Sequence, residues 1–189
     1  MVEKLIQQLN ASFSLKQLGS LDYFLGIEVH SLSSEALLMT QSKYIRDLLN
    51  RTNMLEAKPI SSPMVSSCKL SKHGSDLLQD ASFYRSAVGA LQYVTITHPE
   101  LSFAVIKVCQ FMFSPLESHW TAVKRILRYL KGAVHSGLVL YPASTHQPLS
   151  IQGFCDSDWA SDQDDRRSTF GGAVYVGPNL VGVLVVPKT

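Results

Sequence analysis

Apolar positions recur along the chain with two periods, and the switches between them outline the elements. From Leu5 to about Leu9 the spacing predicts a short amphipathic helix, followed by a connector over Phe13 to Gly19. Tyr23 to His30 is strand-like, Ser31 to Glu35 turn the chain, and Ala36 to Thr40 return it, so a β-hairpin is expected. Between Lys43 and Met54, Tyr44, Ile45, Leu48 and Leu49 repeat at helical spacing with one buried stripe, until Asn53 and the prolines beyond it stop the helix. Glu56 to Asp80 has Pro59, Pro63, Gly74 and many serines but little periodicity, and reads as a long connector that crosses a surface or separates subdomains.

Three helical stretches follow, Ser82 to Ile96, Leu101 to Phe113 and Ser118 to Lys131, punctuated by Asp80, Thr97-His98-Pro99, Ser114-Pro115 and Gly132. They predict a small helical bundle. Gly137 to Pro148 then reads as a linker. Leu149 to Asp158 alternates toward a strand, Ser161 to Ser168 is a charged turn, and Thr169 to Val176 and Leu180 to Val186 are strands joined by Gly177-Pro178-Asn179. There is no internal repeat.

Composition narrows the class. With 189 residues, 46% of them hydrophobic and 17% charged, the chain can build one or two compact units with a real core. No stretch approaches the ~20 uncharged apolar residues that cross a bilayer. Met1 to Asn10 carries Glu3 and Lys4 without the apolar run of a secretory signal. The expectation is a soluble intracellular protein, cytoplasmic or nuclear, neither secreted nor membrane-bound. Cys68, Cys109 and Cys155 lie far apart with no C-x-x-C pair, which points away from a disulfide framework and a zinc site. The formal charge of +2 hides an asymmetry, because residues 1–149 hold 14 Lys and Arg against 10 Asp and Glu, and the remainder 3 against 5.

Candidate chemistry sits in two places. On the helix from Ser118, Lys124, Arg128 and Lys131 recur at spacings of four and three with Arg125 beside them, and Ser118 to Lys131 contains no acid. Trp120, Val123, Leu127 and Leu130 are assigned to a different, buried face. Like charges at this spacing repel, so the stripe is either a solvated face or a track for the phosphates of a polyanion. Asp156 and Asp158 lie two apart in a predicted strand, which puts both carboxylates on one face roughly 6–7 Å apart. Oxygen ligands so placed could hold magnesium or manganese, or could simply face solvent. Asp162, Asp164 and Asp165 beside Arg166 and Arg167 read as a solvent-facing turn whose charges neutralise one another. The six histidines form no nucleophile-base pattern and read as structural or exposed, and no glycine-rich phosphate loop is present.

Read in order, Leu18-Gly19-Ser20-Leu21-Asp22-Tyr23-Phe24-Leu25-Gly26-Ile27-Glu28-Val29, Thr40-Gln41-Ser42-Lys43-Tyr44-Ile45 and Tyr84-Arg85-Ser86-Ala87-Val88-Gly89-Ala90-Leu91-Gln92-Tyr93 resemble the Pol polyprotein of copia-type LTR retrotransposons. The resemblance continues through Gln110-Phe111-Met112, His119-Trp120, Lys124 to Gly132, Asp156-Ser157-Asp158-Trp159-Ala160 and Asp164 to Thr169, nearly the whole chain.

The resemblance implies an α+β fold: a β-hairpin with a small helical bundle, followed by an incomplete ribonuclease H-like β-sheet. Residues 1–55 would be the end of the reverse transcriptase palm, the hairpin and the first thumb-like helix, 56–80 a connector, 81–132 the thumb or connection bundle, 133–148 a linker, and 149–189 the truncated start of ribonuclease H. The hairpin would grip the primer terminus, and Lys124, Arg125, Arg128 and Lys131 would line the template-primer track. Asp156 would be the first catalytic aspartate of ribonuclease H and, with Asp158, a weak magnesium site. The expected partners are RNA–DNA hybrid or duplex, bound weakly, with other retrotransposon Pol or capsid proteins as candidates. The family's polymerase needs an aromatic-x-Asp-Asp turn that this sequence lacks, and residues 166–189 hold no Asp or Glu to complete the nuclease set. The text after Asn179-Leu180 also departs from the family. The sequence therefore predicts a chain truncated at both ends and catalytically incomplete. A non-catalytic binding module and an inert pseudogene product remain open as alternatives.

Overall fold

The structure, a computed structural model, describes residues 2–13, 21–33, 35–65, 68–143, 148–160 and 162–187. The helices are α1 (Val2–Ser12), α2 (Ser42–Arg51), α3 (Ala81–Val94), α4 (Ser102–Cys109, entered through a 3-10 turn at Pro99–Leu101) and α5 (Glu117–Gly132). The strands are β1 (Tyr23–Phe24), β2 (Ile27–Ser31), β3 (Leu37–Thr40), β4 (Leu138–Leu140), β5 (Ile151–Ser157), β6 (Thr169–Val176) and β7 (Asn179–Pro187). They form two antiparallel sheets, one ordered β1-β2-β3-β4 and the other β5-β6-β7.

Local chemistry sets the helix ends. Asp80 starts α3 by accepting a hydrogen bond from the Phe83 amide at 2.8 Å. Asn53, at φ 56°, ends α2: its amide donates to Asn50 O at 3.1 Å and the Met54 amide to Leu49 O at 2.8 Å. That is a Schellman closure, which needs a residue tolerant of the left-handed region. At the other end of α2 the cap comes from the hairpin, where Glu28 Oε1 accepts from the Lys43 amide at 2.9 Å.

One core unites both sides of the connector. Ile45 and Leu49 of α2, Tyr84, Val88 and Leu91 of α3, Val108 of α4, and Val123, Ile126, Leu127 and Leu130 of α5 are at most 1% exposed and pack as one cluster. Complete burial of such a side chain contributes about 1.5–3 kcal/mol, so these stripes dominate the stability of the molecule. The connector runs over the surface of this core: Ile60 N donates to Arg128 O at 3.4 Å, and Pro59 lies against Gly132.

Two expectations change. The strand expected over Tyr23–His30 is two strands, because Leu25 and Gly26 take φ of 48° and 84° and fold β1 back on β2 with Phe24 opposite Ile27. The stretch 133–148, expected to be a linker, contributes β4, whose Val139 pairs with Leu38. Gly137 permits that pairing, since any side chain there would collide with the Met39 carbonyl. Among the described residues no helix is long and apolar enough to cross a membrane.

Candidate nucleic-acid interface

α5 positions the basic row. Its inner face is fixed by Val123, Ile126, Leu127 and Leu130 in the core, which leaves Lys124, Arg128 and Lys131 along the outer edge and Arg125 about 100° around the helix. All four are half-buried, and none is in an ion pair among the described residues. Arg128 Nε donates to Lys58 O at 2.8 Å, so the connector partly covers the row. Arg125 Nε is enclosed without a hydrogen-bond partner. Trp120 sits at the margin of the buried face: it is partly buried, packs against the core and meets Phe83 edge-on at 5.1 Å.

The helix start is fixed by a histidine. His119 is fully buried, its Nδ1 accepts from the Leu116 amide at 3.0 Å, and its Nε2 lies 2.9 Å from Ser71 O. The ring is therefore the neutral tautomer with its proton on Nε2. Burial holds its pKa below the ordinary histidine value, against the opposing pull of the Ser71 carbonyl and the Asp164 charge. His98 is buried too, 3.0 Å from Thr97 Oγ1 and 3.2 Å from Ala133 O. Both rings are tied to buried partners, and the Thr97 hydroxyl beside His98 is itself buried and donates to Gln41 Oε1 at 2.8 Å.

The acidic residues are dispersed rather than gathered. β5 ends at Ser157, so Asp158 lies beyond the strand, where its carboxylate accepts from the Thr169 amide and its own amide donates to Thr169 O at 3.1 Å. Asp156 is exposed on the strand and accepts from the Ser157 amide at 2.8 Å. Asp158 and Asp162, without Asp156, line a cavity of about 570 Å³ between the bundle and the second sheet. Among the described residues no three His, Cys, Asp or Glu side chains come together as a ligand set. Two carboxylates, each engaged by a backbone amide, do not fit a resident magnesium ion.

The turn after Asp158 does more than neutralise itself. Asp162 Oδ1 accepts from the Asp164 and Asp165 amides, and Asp165 pairs with Arg167 at 3.2 Å, as a self-contained turn requires. Asp164 instead reaches the connector, accepting from Ser71 Oγ at 2.5 Å and from the Lys72 amide at 2.8 Å. Those hydrogen bonds, Ser71 first, lower its pKa below the usual carboxylate value. The sequence reading also missed Arg46 and His135, which stand beside Lys131 at the end of the basic row. Only the fold brings α2 to that point.

No family model matches the chain, and no solved structure matches it. Sequence relatives are nevertheless clear. The chain is 45% identical over 172 residues to the retrovirus-related Pol polyprotein from transposon RE2 of Arabidopsis thaliana, covering 91% of this chain and 12% of that protein. The corresponding polyprotein from transposon TNT 1-94 of Nicotiana tabacum is 37% identical over 179 residues, covering 90% and 13%. The uncharacterized mitochondrial protein AtMg00810 of Arabidopsis thaliana is 42% identical over 185 residues, covering 96% of this chain and 73% of that one. The chain thus spans about an eighth of the length of the Pol polyproteins it matches. It belongs to the family of retrovirus-related Pol polyproteins of copia-type transposons.

Proposed function

We propose that the chain corresponds to the part of such a polyprotein that runs from the end of reverse transcriptase, through its thumb-like connection, into the start of ribonuclease H. Its own action is to hold RNA–DNA hybrid or duplex by the backbone, within the cytoplasm or nucleus. The observation that carries this reading is the α5 row: Lys124, Arg125, Arg128 and Lys131 occupy one helix of a rigid core, with no carboxylate paired to any of them among the described residues. Unneutralised cations at helical spacing repel one another, and a line of phosphates removes that cost while releasing counterions. Such contacts position a duplex without reading its sequence.

No catalytic step is assigned to the chain. Two-metal phosphoryl transfer needs several carboxylates converging on one point, and Asp156 has only Asp158 near it in sequence. Magnesium, the ion of the family's chemistry, is accordingly expected to bind only weakly at this pair.

The test is a salt series. Binding to two duplexes of unrelated sequence and to a hybrid, followed by fluorescence anisotropy, should give similar affinities and a slope of log K on log salt of about −2 to −3 if about three phosphates are neutralised. Replacing Lys124, Arg125, Arg128 and Lys131 together by Gln should flatten that slope. Unchanged affinity and slope in the fourfold variant would refute the assignment.

A further inference from the structure

We infer that the pocket between α2 and the C-terminal end of α5 is a phosphate-binding site built from Arg46, Lys131 and His135. The inference rests on the nucleic-acid reading and adds a discrete anchor to it. The pocket, of about 270 Å³, has an apolar wall of Leu49, Leu55 and Val134, while Arg46, Lys131, His135 and Ser136 supply its polar lining. Arg46 Nη2 lies 3.3 Å from His135 Nε2, although the two residues are 89 apart in sequence.

That juxtaposition is the informative feature. A guanidinium only donates, so in the free protein the contact requires a neutral His135 accepting at Nε2. Arg46 and His135 are exposed and Lys131 is half-buried, and no Asp or Glu lines this pocket among the described residues to offset their charge. Asp47, next to Arg46 on α2, projects about 100° around the helix and is not in the lining. A phosphate oxygen between Arg46 and His135 would accept from both, with the His135 ring proton then on Nε2. Lys131 would close the site from α5 with a charge-assisted contact.

The carbonyl end of α5 opposes an anion with about half a charge, against two full charges from Arg46 and Lys131. Lys131 also belongs to the Lys124–Arg128 edge, so a nucleic-acid backbone following that edge arrives at the pocket. The ligand chemistry is a phosphate group, supplied free, at a strand end, or within a backbone.

The experiment follows the His135 imidazole signals by nitrogen-edited NMR. Inorganic phosphate should perturb them saturably, with a dissociation constant on the order of millimolar, and Arg46→Gln should weaken the response at least tenfold. Short thymidine oligonucleotides with and without a 5′-phosphate separate the sources: competition by both marks a backbone phosphate, and competition by the phosphorylated one alone marks a strand end. In duplex binding, Arg46→Gln should reduce the salt slope by about one. No saturable response to phosphate, or an equal response in Arg46→Gln, would overturn the site. The two readings fail separately. If Lys124→Gln/Arg125→Gln/Arg128→Gln binds duplex like the wild type while His135 still responds to phosphate, the row falls and the pocket stands. Duplex binding lost in that triple variant, with affinity and slope untouched by Arg46→Gln, overturns the pocket alone.

Discussion

Leu25 holds the first of two positive φ values in its tight turn while its side chain stands in water, 72% exposed. A two-residue turn of this kind favours Asn or Gly, since an ordinary side chain in the left-handed region costs roughly 1–2 kcal/mol. What holds the turn is backbone chemistry: the Tyr93 hydroxyl donates to the Leu25 carbonyl, a contact that survives any substitution at Leu25. Leu25→Asn should therefore stabilise the protein by about 0.5–1 kcal/mol, read as a raised urea midpoint. A lowered midpoint would mean that the exposed leucine makes a contact its exposure does not reveal. At this scale the sequence was a poor guide. Phe24-Leu25-Gly26-Ile27 looks like an uninterrupted strand because three of its four residues are apolar, and nothing local announces the turn.

Helix ends were legible where the capping group is local, as with Asp80 for α3 and Asn53 for α2, because the side chain or backbone that closes the helix is a few residues away. β4 was not legible, since three apolar residues in a stretch with Gly, Pro, Ser and Thr become a strand only through β3, about a hundred positions earlier. The start of α5 combines both cases: His119 caps Leu116 locally but needs Ser71, 48 residues away, to settle its tautomer. Its consequence is pH-dependent. Burial lowers the folded-state pKa, so below about pH 6.5 the unfolded chain takes up a proton that the folded chain still refuses. The contribution is present in full above that pH and declines as the pH falls toward the folded-state value. His119→Gln should lower stability at pH 7.5 by about 2 kcal/mol and show a smaller loss between pH 7 and 5 than the wild type, measured as urea midpoints. An equal loss in both would place the acid sensitivity elsewhere.

Across the whole molecule, the bundle carries the stability and the second sheet is attached to it. β5 is exposed along its length, whereas α4 lies against β7 and Asp164 reaches the connector. The basic row of the candidate site was readable from helical spacing, but its far end was not, because Arg46 and His135 meet only when α2 packs on α5. Asp164→Asn should speed hydrogen exchange at the Lys72 amide, whose acceptor is that carboxylate, while leaving the Leu91 amide in the core unchanged. Equal rates at Lys72 in both proteins would show that the tether is not formed in solution. The connector has a further consequence. Since α2 on one side and α3 to α5 on the other share a single core, and β3 pairs with β4 across the same divide, the covalent link between them is mechanically redundant once the chain has folded. A single protease nick introduced within residues 56–80 should yield two polypeptides that co-elute as one particle and come apart only in denaturant. Mixed after separation, they should find each other again, as the halves of a split reporter do.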